Sequence, residues 1–406
     1  MTSRSRCSVR FAIVLAYASL ALAHAAHPAD PRPAPAAEAP PRSTFGAALP
    51  GLSDAHLADF LDGRLDFQTA ETPAGGLGPV FNRDSCAACH SAGATGGAGD
   101  ITVTRFGRTV NGVFDPLISL GGPLLQERAI DPAVQEVIPP EANTIARRLT
   151  TPLFGAGLIE AIPDSAIVLG TLIRKPPGIR GRAAVVLDPA SGSQRIGRFG
   201  WKAQQATLLA FSGDAYLNEM GITNRLFPTE NAPNGDAALL ARFDLAPDLE
   251  DKIDPADGTS DIDRTTAFMR FLAPPPRGAI TPGVNAGERL FQAIDCAACH
   301  TPVLMTGKNH LAVLSEKPVA LYSDLLLHDM GPLGDGIPQA AAEAREMRTA
   351  PLWGLSARPV WLHDGRATTI EQAILAHAGE GQGSRDKYAS LGADERRQLR
   401  EFLNSL

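Results

Sequence analysis

Two identical stretches, Cys86-Ala87-Ala88-Cys89-His90 and Cys296-Ala297-Ala298-Cys299-His300, decide how this sequence is interpreted. Each has the form C-x-x-C-H, the attachment motif of c-type haem. Two thiols one helical turn apart can add to the two vinyl groups of one porphyrin, and the adjacent imidazole then lies under the iron as proximal ligand. The sequence therefore predicts two covalently bound c-type haems. Their predicted attachment residues are Cys86, Cys89, Cys296 and Cys299, and their predicted iron ligands are His90 and His300.

Three other uses of paired cysteines are alternatives to haem. A Cys₄ zinc site would bring the two pairs together and leave both following histidines without a purpose. A redox-active dithiol needs a βαβ context that neither flank shows. A simple disulfide within each pair is the third alternative. A doubled five-residue match in an exported chain favours haem over all of them.

Both motifs belong to an internal repeat. Phe81 stands five residues before Cys86, as Phe291 stands before Cys296, and residues 151–155 (TPLFG) are echoed by residues 350–354 (APLWG). Such repetition predicts two related domains with one haem in each. We expect a mainly α fold of two cytochrome c-like domains, separated by the Pro-rich stretch 274–278. The predicted N-terminal domain covers residues 46–275, enlarged by loops and short β-hairpins, and the C-terminal domain covers residues 279–406.

Local patterns predict individual elements of these domains. Alternation over residues 101–115 and 182–200 indicates short hairpins, the second with its turn at residues 189–192. Thr368-x-x-Glu371 reads as a helix capping box. A closing amphipathic helix is predicted from its apolar residues, which are Leu399, Phe402, Leu403 and Leu406.

The first 25 residues have the features of a secretory signal peptide. Basic residues precede an uncharged apolar run over residues 11–23, and small residues around Ala23 and Ala25 offer a cleavage site. A membrane-spanning helix needs about 20 apolar residues, so no span is predicted. Residues 26–45 form a Pro- and Ala-rich lead-in. We therefore expect a periplasmic protein.

The overall composition excludes one class of partner. The 406 residues include 37 Lys+Arg against 44 Asp+Glu, a net charge of −7, which argues against nucleic-acid binding. Hydrophobic residues make up 44% of the chain, enough to bury a core. The 39 Gly and 33 Pro predict long, irregular connections.

Beyond the haem motifs, the chain resembles the di-haem oxidoreductase family of peroxidase-like proteins. That family, also labelled thiol oxidoreductase-like, is related to the bacterial di-haem cytochrome c peroxidases. The stretches that carry the resemblance are residues 154–160 (FGAGLIE), 198–202 (RFGWK), 218–223 (NEMGIT), 325–332 (LLLHDMGP) and 348–367 (RTAPLWGLSARPVWLHDGRA).

The resemblance implies roles for three further residues. Met330 would be the sixth ligand of the C-terminal haem, with His328 as a rival on the same loop. Glu219 would be the acid/base of peroxide cleavage, and Trp201 would relay electrons between the haems. The alternatives are a core methionine, a surface carboxylate and a structural tryptophan. Calcium accompanies the haems in the related peroxidases, but no acidic loop here has convincing ligand spacing.

The sequence also departs from those peroxidases. They place a distal histidine shortly after the first motif, whereas no histidine occurs between His90 and His300. The first haem is therefore five-coordinate, water-bound, closed by a side chain other than histidine, or reached by His56 or by the other domain. An open and reactive iron is compatible with this departure.

These features predict a periplasmic enzyme. Electrons from a small donor, a cytochrome or a copper protein, would enter at the His300/Met330 haem and pass to the His90 haem. A small oxidant such as peroxide would be reduced there. The alternatives are a non-catalytic di-haem electron carrier and, less favoured, an oxygenase acting on an organic substrate.

The doubled motif yields the first testable prediction. When the protein is produced in a host competent for cytochrome c maturation, each chain should carry two porphyrins, because thioether bonds survive denaturation. Mass spectrometry of the denatured, acid-extracted chain measures this directly. A chain that contains zinc, or that loses its haem on extraction, would contradict the interpretation.

Overall fold

The computed structural model describes residues 44–247 and 249–406. The predicted signal peptide and the lead-in up to residue 43 lie outside these residues. Helix, at 34%, exceeds strand, at 15%, as the sequence predicted. Among the described residues, no helix is both long enough and apolar enough to cross a bilayer.

Ten α-helices and twelve short strands occur in the described residues. The helices are α1 Asp54–Gln68, α2 Ala156–Glu160, α3 Asp164–Gly170, α4 Leu208–Met220, α5 Ala237–Phe243, α6 Asp261–Phe271, α7 Pro282–Ala293, α8 Ile370–Leu375, α9 Gln382–Ser390 and α10 Ala393–Asn404. The strands are β1 Val80–Phe81, β2 Thr102–Val110, β3 Val113–Asp115, β4 Leu124–Leu125, β5 Arg128–Ala129, β6 Thr144–Leu149, β7 Val185–Asp188, β8 Ser193–Ile196, β9 Leu304–Met305, β10 Pro318–Val319, β11 Leu327–Asp329 and β12 Glu346–Arg348.

Two close helix crossings stand next to the two motifs. The helix before each motif packs on a later helix, α1 on α6 and α7 on α10. A glycine lies at each contact. A Cβ on Gly63 would lie 2.0 Å from the carbonyl oxygen of Arg264, and one on Gly287 would lie 2.1 Å from that of Gln398. The backbones can therefore approach this closely only because both positions lack a side chain.

The α7–α10 pair has the local features that the sequence indicates. Pro282 occupies the first turn of α7, and the Thr281 hydroxyl accepts a hydrogen bond from the Val284 backbone N–H at 3.1 Å. The apolar face of α10 is buried, and Phe402 contacts Phe291 with ring centroids 5.2 Å apart. The predicted closing helix is confirmed.

A small antiparallel sheet follows the first motif. Strand β2 pairs with β6 on one side and with β4 and β3 on the other. The β2–β3 hairpin lies within residues 101–115, and the β7–β8 hairpin turns at residues 189–192. Both predicted hairpins are confirmed. The sheet brings β2 and β6 side chains to the space beside the first motif.

One predicted cap is wrong. Helix α8 begins at Ile370, and its N-cap is Thr369, whose hydroxyl accepts from the Gln372 backbone N–H at 3.1 Å. Thr368 and Glu371 therefore do not form a capping box. Two adjacent threonines both offer a hydroxyl acceptor, so the pattern alone could not settle which one starts the helix.

A buried ion cluster joins segments that are far apart in sequence. Asp335 accepts from Arg148 Nε at 2.6 Å and pairs with Lys202 Nζ at 2.9 Å. All three side chains are buried or nearly so. Removing one partner of such a cluster leaves an uncompensated buried charge, which typically costs about 3–5 kcal/mol.

The predicted boundary at residues 274–278 lies between α6 and α7 and stays a prediction.

The glycine crossing supplies a stability prediction. Gly287→Ala should lower the free energy of unfolding by about 1–3 kcal/mol, because the new methyl group overlaps α10. Gly383→Ala, in α9, is the matched control, since a Cβ there meets no atom within 4 Å. Chemical denaturation of both holo-variants measures the difference. Equal stabilities would show that α7 and α10 are free to separate.

Candidate haem sites and active site

The two motifs line two different cavities. The N-terminal cavity is the space lined by Cys86, Cys89, His90, Trp201 and Glu219, among others. The C-terminal cavity is the space lined by Cys296, Cys299, His300, Met330 and His377, among others. The four cysteines form no disulfide. This separation argues against one Cys₄ zinc site, because zinc would need all four sulfurs within one coordination shell.

Each motif folds as a tight turn that brings its cysteines together. In the first, the Cys89 and His90 backbone N–H groups donate to the Cys86 carbonyl at 3.2 and 3.0 Å. In the second, Cys299 and His300 donate in the same way to Cys296 at 3.3 and 2.9 Å. Burial raises the pKa of the Cys86 and Cys296 thiols to about 12, so both are neutral. The two cysteine pairs therefore have the same local geometry, and each pair could add to a porphyrin of its own.

The two motif histidines are held in one tautomer. The Nδ1–H of His90 donates to the Gly97 carbonyl at 3.2 Å, and that of His300 donates to the Tyr322 carbonyl at 3.0 Å. Burial lowers the pKa of both imidazoles to about 4. Each ring is therefore neutral with its unprotonated Nε2 available, which is the form that binds a metal.

The predicted acid, Glu219, lies in the N-terminal cavity near the end of α4. Gly221, at φ +69°, terminates this helix in the left-handed conformation. Glu219 Oε2 accepts a hydrogen bond from Asn82 Nδ2 at 2.8 Å. Burial raises the pKa of the Glu219 carboxyl, and the hydrogen bond from Asn82 and the positive charge of Arg105 oppose part of that rise.

Four further charged side chains of this cavity were missed by the sequence analysis, and they are Arg83, Arg105, Arg148 and Asp214. Arg105, from β2, and Asp214, from α4, line the same space as Glu219. Burial lowers the pKa of Arg105 and raises that of Asp214. Arg105 stands in an alternating strand among other basic residues, so no local signal marks it. Only the pairing of β2 with β6 and β4 brings it here.

No second histidine lines the N-terminal cavity among the described residues. His56, the candidate from the sequence, packs instead against Phe271 with ring centroids 5.1 Å apart. The sulfur-bearing side chains of Met220 and Met269 are the soft groups that line this cavity besides the cysteines.

Trp201 borders both cavities. Its Nε1–H donates to the Leu149 carbonyl at 2.7 Å, and its ring makes an edge-to-face contact with His363 at 6.2 Å between centroids. The backbone carbonyl of Trp201 accepts from the Arg348 N–H at 2.8 Å. The indole is therefore fixed between the two sites that it was expected to connect.

His328, the rival iron ligand, has no free ring nitrogen. Its Nε2 bonds Asp324 Oδ2 at 3.1 Å and its Nδ1 bonds Glu380 Oε2 at 2.7 Å. Burial lowers its pKa, but hydrogen bonds to Asp324, Cys299 and Glu380 outweigh burial and raise the pKa to about 11. Both ring nitrogens of His328 are thus engaged by carboxylates, whereas a ligand needs one nitrogen free for the iron.

Met330 and His377 both face the C-terminal cavity. Met330 precedes the turn at residues 331–333, with its N–H donating to the Arg345 carbonyl at 2.9 Å. His377 directly follows α8, and its Nδ1–H donates to the Ala373 carbonyl at 2.8 Å. His377 was not identified as a ligand from the sequence. Its helical spacing from Ile370, Ala373 and Ile374 was the available signal.

Two buried N–H groups in the C-terminal cavity have no hydrogen-bond acceptor. Arg358 Nε and Trp361 Nε1 lie inside the protein without a hydrogen-bond partner, and both residues line this cavity. The two carboxylates of a haem are acceptors of the required kind. Together with the adjacent thiols and the free His300 Nε2, these donors fit a covalently attached haem.

One group of carboxylates lies outside both cavities. Oxygens of Glu230, Asp244 and Glu250 lie within 4.8 Å of one another, and no ion is present. Exposed acidic groups of this kind are common without a metal. Calcium binding, for which the sequence shows no convincing ligand spacing, stays untested.

Solved structures with some likeness to this chain include haem proteins. The di-haem peroxidase BthA from Burkholderia thailandensis is 14% identical, over 87% of this chain and 86% of that one, with a TM-score of 0.40. Hydrazine synthase from Kuenenia stuttgartiensis is 13% identical, over 93% of this chain and 100% of that one, also at 0.40. A MauG-like protein associated with microbial copper homeostasis is 18% identical, over 63% of this chain and 89% of that one, at 0.33. No curated protein matches the sequence.

A family model identifies the chain. The model described as "Di-haem oxidoreductase, putative peroxidase" matches residues 135–406, more than half of the sequence. The matched part contains the second C-x-x-C-H motif, Trp201, Glu219 and the C-terminal cavity, and it begins after the first motif. The match agrees with the resemblance found in the sequence. The chain belongs to the di-haem oxidoreductase family.

Proposed function

We propose that this protein is a periplasmic di-haem c-type oxidoreductase that reduces peroxide or a related oxidant. Its two halves would be cytochrome c-like domains, each with one haem. Electrons would enter at the C-terminal haem and leave from the N-terminal haem to the oxidant. One observation carries the proposal: two separate C-x-x-C-H cavities both border Trp201, and the N-terminal one combines the buried carboxyl of Glu219 with, among the described residues, no lining histidine besides His90.

The cysteines and histidines of the motifs would hold the two groups. Cys86 and Cys89 would form the thioether bonds in the N-terminal cavity, and the His90 Nε2 would bind the iron. A bound haem supplies electron transfer and an electrophilic iron at which a peroxide oxygen can bind. The surrounding side chains decide whether such an iron is reached by an oxidant.

Reduction of hydrogen peroxide to two waters consumes two electrons and two protons. Glu219 would move a proton from one peroxide oxygen to the other as the O–O bond breaks. The Asn82 amide fixes its Oε2, which leaves the other carboxyl oxygen for the proton. Arg105 adds a positive charge to the same cavity, where negative charge develops on the departing oxygen.

Electron entry is proposed at the C-terminal cavity because its lining is mainly apolar and because the carboxylate that lines it, Asp295, is paired with Lys387. Trp201 provides a rigid aromatic group between the two sites. The donor would be a small periplasmic cytochrome or copper protein, as the predicted export implies. The sixth ligand of the C-terminal haem comes from the cavity in which Met330 and His377 both lie.

The acid role of Glu219 is tested by its isosteric amide. Glu219→Gln should lower peroxide turnover by about 10²–10⁴, because a positioned acid/base typically contributes that much. Haem content and spectra should be unchanged. Glu141→Gln, at an exposed carboxylate, is the control and should keep full activity. A loss of less than a few-fold would make Glu219 a structural acid.

Access to the N-terminal iron separates the enzyme from an electron carrier. In the oxidised or half-reduced protein, cyanide should bind one haem only, because no second imidazole closes the N-terminal cavity. Electron paramagnetic resonance before and after cyanide addition measures this. Two low-spin haems that ignore cyanide and peroxide in every redox state would establish a non-catalytic cytochrome.

A further inference from the structure

We propose that His377 is the sixth ligand of the C-terminal haem iron, which makes this centre bis-histidine, His300 and His377, rather than histidine–methionine. The inference rests on the proposed binding of haem in the C-terminal cavity. It gives His377 the coordination position for which the sequence favoured Met330. It concerns the coordination of the iron and is independent of the oxidant reduced at the other site.

The separation of the two imidazoles carries the proposal. Their ring centroids are 6.5 Å apart. An imidazole nitrogen lies about 2.0–2.1 Å from a bound metal and about 1.1 Å from its own ring centroid, so two rings on opposite sides of one metal have centroids about 6.2–6.4 Å apart. The observed spacing therefore fits one iron between His300 and His377. The planes are rotated by 59°, which a pair of axial ligands tolerates because each can turn about its own bond.

The same kind of hydrogen bond holds the imidazoles of His300 and His377. The Nδ1–H of His377 donates to the Ala373 carbonyl, as that of His300 donates to the Tyr322 carbonyl. Each ring thus has only its Nε2 to offer, and both rings line the same cavity. A backbone carbonyl on the far nitrogen is the usual second partner of a metal-bound histidine.

The local fold explains how His377 reaches this place. Thr369 starts α8, and the helix ends at Leu375, so His377 follows just after the last turn. Its bond to Ala373, four residues earlier, ties the ring back to the helix end. The side chain is therefore held by a rigid element rather than by a free loop.

The other candidates in this cavity are accounted for differently. His363 contacts Trp201 and lies toward that side of the cavity. Met330 lies beside His377: a Cβ on Gly381 would be 3.2 Å from the His377 Cβ and 3.4 Å from the Met330 methyl carbon. Such a position suits a methionine that packs next to the ligand and fills the remaining space.

The ligand identity changes what the centre can do. A thioether raises the potential of a c-type haem relative to a second imidazole. A bis-histidine centre would thus pass electrons onward more readily and accept them from a stronger reductant. The physiological donor would accordingly be a low-potential carrier.

The test uses the full-length holoprotein and begins with its haem content. Wild type should show one bis-imidazole low-spin signal in electron paramagnetic resonance and no far-red absorption band of a thioether–iron bond. Met330→Leu should leave that signal and the midpoint potential unchanged. His377→Met should keep the C-terminal haem low-spin, raise its potential and introduce the thioether band.

A rescue experiment completes the assignment. His377→Ala should make the C-terminal haem high-spin, and added imidazole should return it to low-spin. A thioether band in wild type, or a high-spin C-terminal haem in Met330→Leu but not in His377→Ala, would overturn the proposal in favour of Met330. A protein that shows the bis-histidine signal but no peroxide turnover would refute the proposed function and leave this ligand assignment standing.

Discussion

The chemistry of both cavities depends on one kind of hydrogen bond, from a histidine Nδ1–H to a backbone carbonyl. His90 uses the carbonyl of Gly97, His300 that of Tyr322 and His377 that of Ala373. Each bond fixes the tautomer, the ring direction and the one nitrogen that remains free. Because the acceptors are main-chain atoms, the orientation of every prospective iron ligand is set by the fold itself and not by a neighbouring side chain.

The same five-residue sequence, Cys-Ala-Ala-Cys-His, lies in two different environments. Around the first motif, the sheet that follows it contributes Arg105, and α4 contributes Asp214 and Glu219, so the cavity is charged. Around the second, a mainly apolar wall surrounds four imidazoles, those of His300, His328, His363 and His377. A repeated attachment motif therefore does not imply a repeated role. The two cavities differ because different segments line them.

Much of this arrangement was predictable where the signal is local. The C-x-x-C-H turns, the two hairpins and the face of α10 follow from spacing and alternation within a few residues. The position of Arg105 in the N-terminal cavity and the closeness of His300 to His377 could not be predicted. Both depend on which strands and helices meet across the fold. Thr369 shows the same limit on a smaller scale, because the adjacent Thr368 offers the same hydroxyl acceptor and the sequence pattern does not say which of the two caps α8.

The buried donors of the C-terminal cavity bear on how the protein is made. Arg358 Nε and Trp361 Nε1 have no acceptor within the polypeptide, and each unsatisfied buried donor costs about 1–3 kcal/mol. A haem bound in this cavity would offer acceptors to both donors and so stabilise the fold around them. A chain that missed its haem would open more often at this point and be degraded first. The cavity would in this way act as a checkpoint during maturation.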